Sequence, residues 1–525
     1  MQRSSMDSNH HKIIIIGAGI TGLSTGLAWS KVFDCHEQSA LIIEKQPVPG
    51  GCVATFARQG FRFDTVQIIP DVSDVMNFFG IQVELLKFDH IYTRLFLAEP
   101  NSSKVRQFDI PAGYHGIVKM LSEKYPEDGI QIQKFFNYCE KMHAELRYLK
   151  TEPAWYELPG ILYHCPKIIA NSGKTYEQFL RKFRFNHPDV YEILDVFSSF
   201  SGLSGNRCAS LLTACAMVTT LRGSYRPVKG FLQFPLMLQK EFQNRGGEIR
   251  FNTTVRKILT DGNKASGVEL DDGSRLYSDY VVSTADTQLT FERLLGYDVL
   301  KKAGKAYSKK AYEAEMSPSG IAIHLGLDDG IDLKGMGFDC GYNVLTTGMK
   351  THQLMFDEWE KGNLLMSDEH FHFGVISPSA MIGGKQTLII HIVPVSANYW
   401  IELRERNFEE YSNEKRRIAD FYIGKTEEFL IPGLREHILM TDISTPATYA
   451  RYIGSPTGSN FDMMPVPRNF GKNRLKGRTP VNNLFLPKFS HGIWPSMQAG
   501  LQVVDMISGG KIMNGNASYF RKSAK

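Results

Sequence analysis

The segment HKIIIIGAGITGLSTGLAW, residues 11–29, constrains this chain more than any other, because four consecutive isoleucines run straight into glycines spaced G-x-G-x-x-G. Residues 13–16 are a wholly apolar, β-branched run, the pattern of a central parallel strand buried on both faces. Gly17, Ala18, Gly19, Ile20, Thr21 and Gly22 supply the turn, the pattern becomes helical over 21–29, and a second strand at ALIIE ends on Glu44. Strand, glycine turn, helix, strand and acid together form the unit that holds a dinucleotide. Gly17 permits the tight turn, Gly19 lets backbone approach a pyrophosphate, and Gly22 lets helix and strand pack closely. The helix N-terminus offers free N–H groups and a positive dipole end to phosphate, and Glu44 would accept hydrogen bonds from ribose hydroxyls.

An export signal or a membrane span fits the same stretch less well. The apolar run is broken by three glycines in its first third and leads into more helix and strand. With 525 residues, 42% hydrophobic and 22% charged, the chain has the profile of a soluble protein of several domain equivalents. The net charge of +5 is small and spread along the chain, so no nucleic-acid-binding stripe is expected. Seven scattered cysteines without a C-x-x-C pair or a His/Cys cluster indicate reduced thiols in a cytoplasmic setting and no metal site.

After Glu44 and Lys45, the stretch EKQPVPGGCVATFARQGFRFDT places Gly50 and Gly51 just past the second strand. A strand over 52–56, a turn at Gln59-Gly60 and a strand ending at Asp64 are expected next. Two hundred residues later come a helix over 231–244, a turn at Gly246-Gly247, a strand containing Val255, a hairpin at Asp272-Gly273 and an apolar strand at 281–282. The chain there returns to its first sheet.

These motifs, E-x-x-x-x-x-GG-x-x-x-T-F, G-F-x-F-D-T, and G-x-x-I-x-x-N-x-x-V-x-x-I followed by G-V-x-L-x-D-G, resemble those of the FAD-dependent superfamily of phytoene desaturases, carotenoid isomerases and retinol saturases. Residues 373–395 and the tail LFLPKFSHGIWPSMQAGLQVVDMI extend the likeness over nearly the whole chain, and GGCVATF with that tail is most similar to the retinol saturase branch. The resemblance implies an α/β fold: a Rossmann-like FAD-binding domain of glutathione-reductase type (1–70, 225–300, 471–525), interleaved with an α+β substrate domain (71–224, 301–470). It also implies that Gly17 to Gly22, Glu44 and Lys45 hold the ADP half of FAD. Val255 backbone would meet the adenine, and Gly50, Gly51 and Cys52 would lie along the diphosphate and ribityl chain. A tail helix starting near Trp494, with Gly492 and Met497, would point its N-terminus at the flavin ring.

The chain departs from its relatives at two places. Asp64-Thr65-Val66 stands where many read D-x-G, and Pro487-Lys488 replaces the stretch whose acid usually fixes the ribityl chain. The latter leaves open a redox-inactive lipid-binding or interaction protein. His491, in the same tail, is as readily an ordinary loop residue as a proton donor.

The substrate side carries no nucleotide signal. Residues 208–221 form an apolar helix too short for a bilayer, expected to pack the core or line a pocket. Residues 134–149 are amphipathic and lead to Trp155, Tyr156, Leu158, Ile161, Leu162 and Tyr163, which suits either a packed cap or a peripheral membrane contact. His370 and His372 share strand spacing without a third metal ligand, so pocket or surface polarity is expected of them. The activity the resemblance implies is saturation, desaturation or isomerisation of C=C bonds in a lipophilic polyene or isoprenoid. An amine or porphyrinogen oxidase on the same scaffold is the alternative.

Overall fold

The computed structural model describes residues 9–148, 155–469, 474–487 and 492–512. The opening segment folds as β1 (His10–Ile16), α1 (Ile20–Val32) and β2 (Ala40–Ile43), with Ile13, Ile14 and Ile15 wholly buried. β1 lies between two parallel neighbours, β2 and Arg275–Ser283, pairing Ile14 with Leu41 on one side and Val281 on the other. Beyond β2 lies Glu248–Arg250, and beyond Arg275–Ser283 the antiparallel strands Lys264–Leu270 and Val255–Asp261 complete the order. Leu484–Phe485 adds to Arg275–Ser283 in parallel, so three distant stretches of chain build one sheet.

α1 is covered from several sides and is correspondingly apolar all round. The last helix, Ile493–Ser508, crosses it where small residues permit: a Cβ on Gly500 would lie 2.8 Å from Thr25 N and 2.9 Å from Thr21 O. The helix Gln233–Asn244 packs on another flank, its Phe242 against Gly26. The short helix α2 (Ser73–Phe79) joins the same core through Val75, Met76, Phe78 and Phe79.

After β2 the chain makes a small hairpin, β3 (Thr55–Arg58) and β4 (Phe61–Asp64). The strand expected over 52–56 begins only at Thr55, because Gly50 (φ 129°) and Gly51 (φ 59°) take left-handed backbone and Val53 N–H closes a turn on Gly50 O at 3.0 Å.

The second large sheet runs Ile438–Ser444, Ser319–Leu327, Thr387–Val395, His372–Ile376, Tyr342–Thr346, Ile91–Ala98, Val105–Pro111. Its strands alternate between two faces. Ile321, Ile323 and Leu325, with Leu388, Ile390 and Ile392, share a core with Ile418 and Tyr422 of the helix Phe408–Phe429. The intervening residues face the cavity described below. The amphipathic helix Gly129–Glu145 turns Phe135, Phe136, Cys139 and Met142 into a helical core, so its apolar face is not free to meet a membrane. Among the described residues, no helix is long and apolar enough to cross one.

Candidate functional site

Residues from both large sheets line one continuous cavity of about 3050 Å³. Ordinary small-molecule pockets reach only about 1,000 Å³. At one part of it the two glycine segments meet. Gly50 N–H donates to Ala18 O at 2.9 Å, and Gly19 pairs with Gly50 in a parallel bridge. Gly51 comes so near that a Cβ on it would stand 3.4 Å from Gly19 Cα.

The three glycines of the first loop serve different ends. A Cβ on Gly22 would lie 1.9 Å from Gly17 O, so Gly22 is required by packing alone. Gly17 has φ 99°, a conformation that side chains rarely adopt. Gly19 has an ordinary φ of −69°, and the nearest atom to a Cβ there, Gly50 O, is 4.0 Å away. The fold has room for a side chain at Gly19. Its bareness keeps open the cavity space that it lines at the N-terminus of α1, where a side chain would stand between a pyrophosphate and the amides. The cradle fits a dinucleotide.

Glu44 is buried beside this loop. Its Oε2 accepts from Ala18 N–H at 2.7 Å and its Oε1 from Gln46 N–H at 2.8 Å, so the carboxylate fixes the glycine turn and has only its remaining lone pairs for a ligand. Lys45 also borders the cavity, but its Nζ donates to Arg451 O at 3.1 Å, and burial lowers its pKa. Together with Gln46 Nε2 on Tyr452 O at 2.8 Å, it straps the first unit to the helix Pro446–Ile453.

Ile20, Thr21, Cys52, Val255 and Gly492 also line the cavity. Gly492 (φ 107°) precedes the last helix, whose first residues, Ile493 and Trp494, reach the cavity too; Trp494 Nε1–H is held by Asp74 Oδ1 at 3.1 Å. Three residues expected at the cofactor stand behind the wall instead. Ala18 and Met497 are fully buried in the core under α1, and Gly22 packs on Gly17. Lys488 and His491 lie outside the described residues.

Thr65, in the D-x-G position, accepts from Ala54 N–H at 2.9 Å and donates to Cys52 O at 2.8 Å, tying the second glycine loop to the hairpin. Asp64 beside it pairs with Arg226, a buried arginine that no motif singled out.

Away from the glycines, the walls are aromatic and aliphatic: Tyr92, Phe197, Phe200, Tyr342, Phe373 and Ile376. The helix Ser210–Arg222 both packs and lines, burying Met217 and Val218 while Leu212, Ala216 and Thr219 border the cavity. Polar groups come from alternate strand positions: His324, His372 and His391 all face inward. Burial pushes the pKa of His324 and His391 down to about 4 and that of His372 well down, so all three are neutral near pH 7. Asp442 O can only accept, so His324 carries its proton on Nδ1, 3.3 Å away. His370 lies outside the strand and contacts Thr351 Oγ1 instead.

A parallel sheet carrying a glycine cradle, joined by one cavity to an apolar chamber under a second sheet, defines a dinucleotide-dependent redox protein. Residues 12–308 match the family of FAD dependent oxidoreductases, and the chain belongs to it. It is 26% identical to the chloroplastic prolycopene isomerase of Daucus carota, across 89% of this chain and 74% of that protein. It is 22% identical to the all-trans-retinol 13,14-reductase of Danio rerio, across 90% and 81%. An oxidoreductase from Methanosarcina mazei has the same fold, with a TM-score of 0.61 at 16% identity over 94% of this chain and all of that one.

Proposed function

We propose that this FAD-dependent oxidoreductase saturates, desaturates or isomerises C=C bonds of a lipophilic polyene, carotenoid, retinoid or other isoprenoid. The observation that carries the reading is the single cavity joining the glycine cradle to a chamber walled by Phe197, Phe200, Tyr342 and Phe373. The names of the isomerase and reductase relatives point the same way.

In this reading Gly17, Gly19, Gly50 and Gly51 hold FAD by bare backbone, Glu44 keeps the first loop in shape, and Val255 borders the adenine end. Bound there, FAD supplies hydride or electron-pair exchange with carbon. The aromatic walls orient an extended apolar chain and exclude water. Neutral histidines add polarity without charge, and His324 offers an unprotonated Nε2 as acceptor. In the same reading residues 1–70, 225–300 and 471–525 form the cofactor part and 71–224 and 301–470 the substrate part, with α2 packing into the cofactor part's core.

The finer reading of location is a cytoplasmic protein touching a membrane at its surface. The helix Leu158–His164 buries no side chain: Leu162 and Tyr163 are 61% and 80% exposed, and Leu158 and Leu162 also border the cavity. An apolar rim at a lipid-binding cavity suits passage of substrate from a bilayer. Replacing Leu162 and Tyr163 with serine is expected to reduce co-sedimentation with lipid vesicles.

The activity is tested by incubating FAD-loaded protein with prolycopene and with all-trans-retinol, then resolving products by chromatography and mass. An isomerised, reduced or desaturated product supports the reading. Turnover of amines with both polyenes untouched would overturn it.

A further inference from the structure

The hairpin β3–β4 rests on the second large sheet, and packing gives way to cavity there at His324. Phe61 covers Gly326, while Phe56 and Phe63 meet the imidazole of His324 edge on, with ring centroids 5.0 and 5.2 Å away. Phe61 and Phe63 are buried, whereas Phe56 lines the cavity, as do residues 52–55 that lead to it from the second glycine loop. His324 therefore stands between the cradle and the aromatic chamber. Its Nδ1–H is committed to Asp442 O at 3.3 Å, and its Nε2 has no partner among the described residues and opens to the cavity. Three titratable or charged groups face it: Asp442 from one neighbouring strand, His391 diagonally from the other, and Arg58 from β3, whose Nε pairs with Asp442 Oδ2 at 3.1 Å.

Neighbouring groups are engaged or are weaker proton carriers. His352, on the helix Met349–Glu360, stacks on His372 with ring centroids 3.9 Å apart, and His372 Nε2 meets Ser199 Oγ at 3.2 Å. His143 Nε2 meets Thr219 Oγ1 at 3.0 Å, and the Glu44 carboxylate is held by two amides. Burial pushes the phenols of Tyr92, Tyr342 and Tyr449 well above their ordinary pKa. His391 also faces the cavity, but nothing among the described residues fixes its tautomer.

Adding a hydride to one carbon of a C=C bond requires a proton at its neighbour, and removing a hydride requires that a proton leave. A polyene has no acidic group to exchange it with, so a side chain has to hold that proton. We propose that His324 Nε2 is the proton-holding group of the reaction, fixed by Asp442 and the hairpin where cofactor and substrate meet. The assignment rests on the lipophilic-polyene reading and adds a catalytic residue to it. In saturation, the hydride leaving reduced FAD joins one carbon and the proton on Nε2 joins the other: the C=C bond is reduced, the flavin is oxidised and His324 is left neutral. Desaturation runs the same two transfers in reverse. Burial holds the His324 pKa down at about 4, with Asp442 raising it and His391 and Arg58 lowering it. The negative charge that reduced FAD carries favours the imidazolium, so the proton arrives with the electrons.

The pH dependence of the flavin midpoint potential of the FAD-loaded protein counts the protons taken up with two electrons, and it needs no substrate. Between about pH 6 and 8 the wild type should take up about two, one at the flavin and one at His324, with the reduced flavin showing the spectrum of its anion. His324→Gln should take up about one, and His391→Gln should keep about two. With polyene, His324→Gln should lower kcat by about 100-fold or more. Flavin content and thermal midpoint show which variants are folded, and the wild-type count requires none. A wild-type count of one, a reduced flavin with the spectrum of the neutral form, or a count of two retained in His324→Gln overturns the assignment. Turnover of neither prolycopene nor all-trans-retinol, with the proton lost as expected in His324→Gln, overturns the lipophilic-polyene reading instead.

Discussion

The guanidinium of Arg226, wholly buried, forms an ion pair with the carboxylate of Asp64 at the end of β4. Asp64 Oδ1 also accepts from Phe231 N–H at 3.2 Å, and Arg226 Nη1 donates to Gln67 O at 3.1 Å. The pair joins the hairpin after the second glycine loop to the strand Ser224–Pro227, which leads into the helix Gln233–Asn244. Burial pulls the arginine's pKa down and Asp64 opposes it, so the charge depends on its partner.

Removing one partner leaves the other charge buried and unpaired. Arg226→Met should therefore lower unfolding free energy by about 3–5 kcal/mol, whereas adding Asp64→Leu should recover a large part of the loss. Urea denaturation of the two variants measures the difference. A double variant no more stable than Arg226→Met would contradict the pairing.

Gly19 and Gly22 separate ligand space from packing. Gly19→Val should leave circular dichroism and thermal midpoint close to wild type while abolishing FAD retention. Gly22→Ala should destabilise the fold itself by about 1–3 kcal/mol or more, because its Cβ meets Gly17 O. Absorbance of bound flavin and thermal melts, read together, distinguish the two.

Glu44→Gln keeps the shape but places an NH2 opposite one of the two amides that the carboxylate now accepts from. A hydrogen bond to a charged group contributes about 1.5–3 kcal/mol, so the first loop should loosen and FAD should bind at least tenfold more weakly. Titration of the FAD-free protein with FAD gives the value. Unchanged affinity would mean that the loop holds its shape without the acid.

Acid should destabilise the protein through its cavity histidines. His324 and His391 titrate near 4 in the fold and His352 near 3, against an ordinary value of 6.5. Groups depressed in this way contribute stability that is present above 6.5 and lost as pH falls through the folded values. Asp195, raised to about 7, acts oppositely: its contribution is present below about 3.8 and is lost as pH rises through 7. Three histidines outweigh one acid, so the thermal midpoint should fall from about pH 6.5 downwards. His324→Gln should make that acid limb shallower, and an unaltered limb would contradict the assignment.

The cofactor cradle was legible in sequence because its residues are local: isoleucines, glycines and an acid within one βαβ unit. The second glycine loop was legible for the same reason, whereas the return of the Val281 strand to β1 was legible from its apolar run after the Asp272-Gly273 hairpin despite its distance along the chain. Arg226 and the histidines were not. Arg226 meets Asp64 across 162 residues, and His352 meets His372 only because a helix docks on the strand that carries His372. Alternation in GIAIHLGL and TLIIHIVPV marks His324 and His391 as facing away from Ile321, Ile323, Ile390 and Ile392, but sequence does not say that this face borders a cavity. The place of Met497 was illegible for a related reason: the last helix turns that side chain into the core beside α1.

The central claim is that one cavity holds flavin and polyene together. It is tested most directly by titrating the FAD-loaded protein with a conjugated polyene alcohol and following the visible bands of the flavin. The bands should shift and saturate at one polyene per flavin, and Gly19→Val should show neither flavin nor shift. A protein that retains no FAD, or whose flavin bands are indifferent to saturating polyene, would contradict the account.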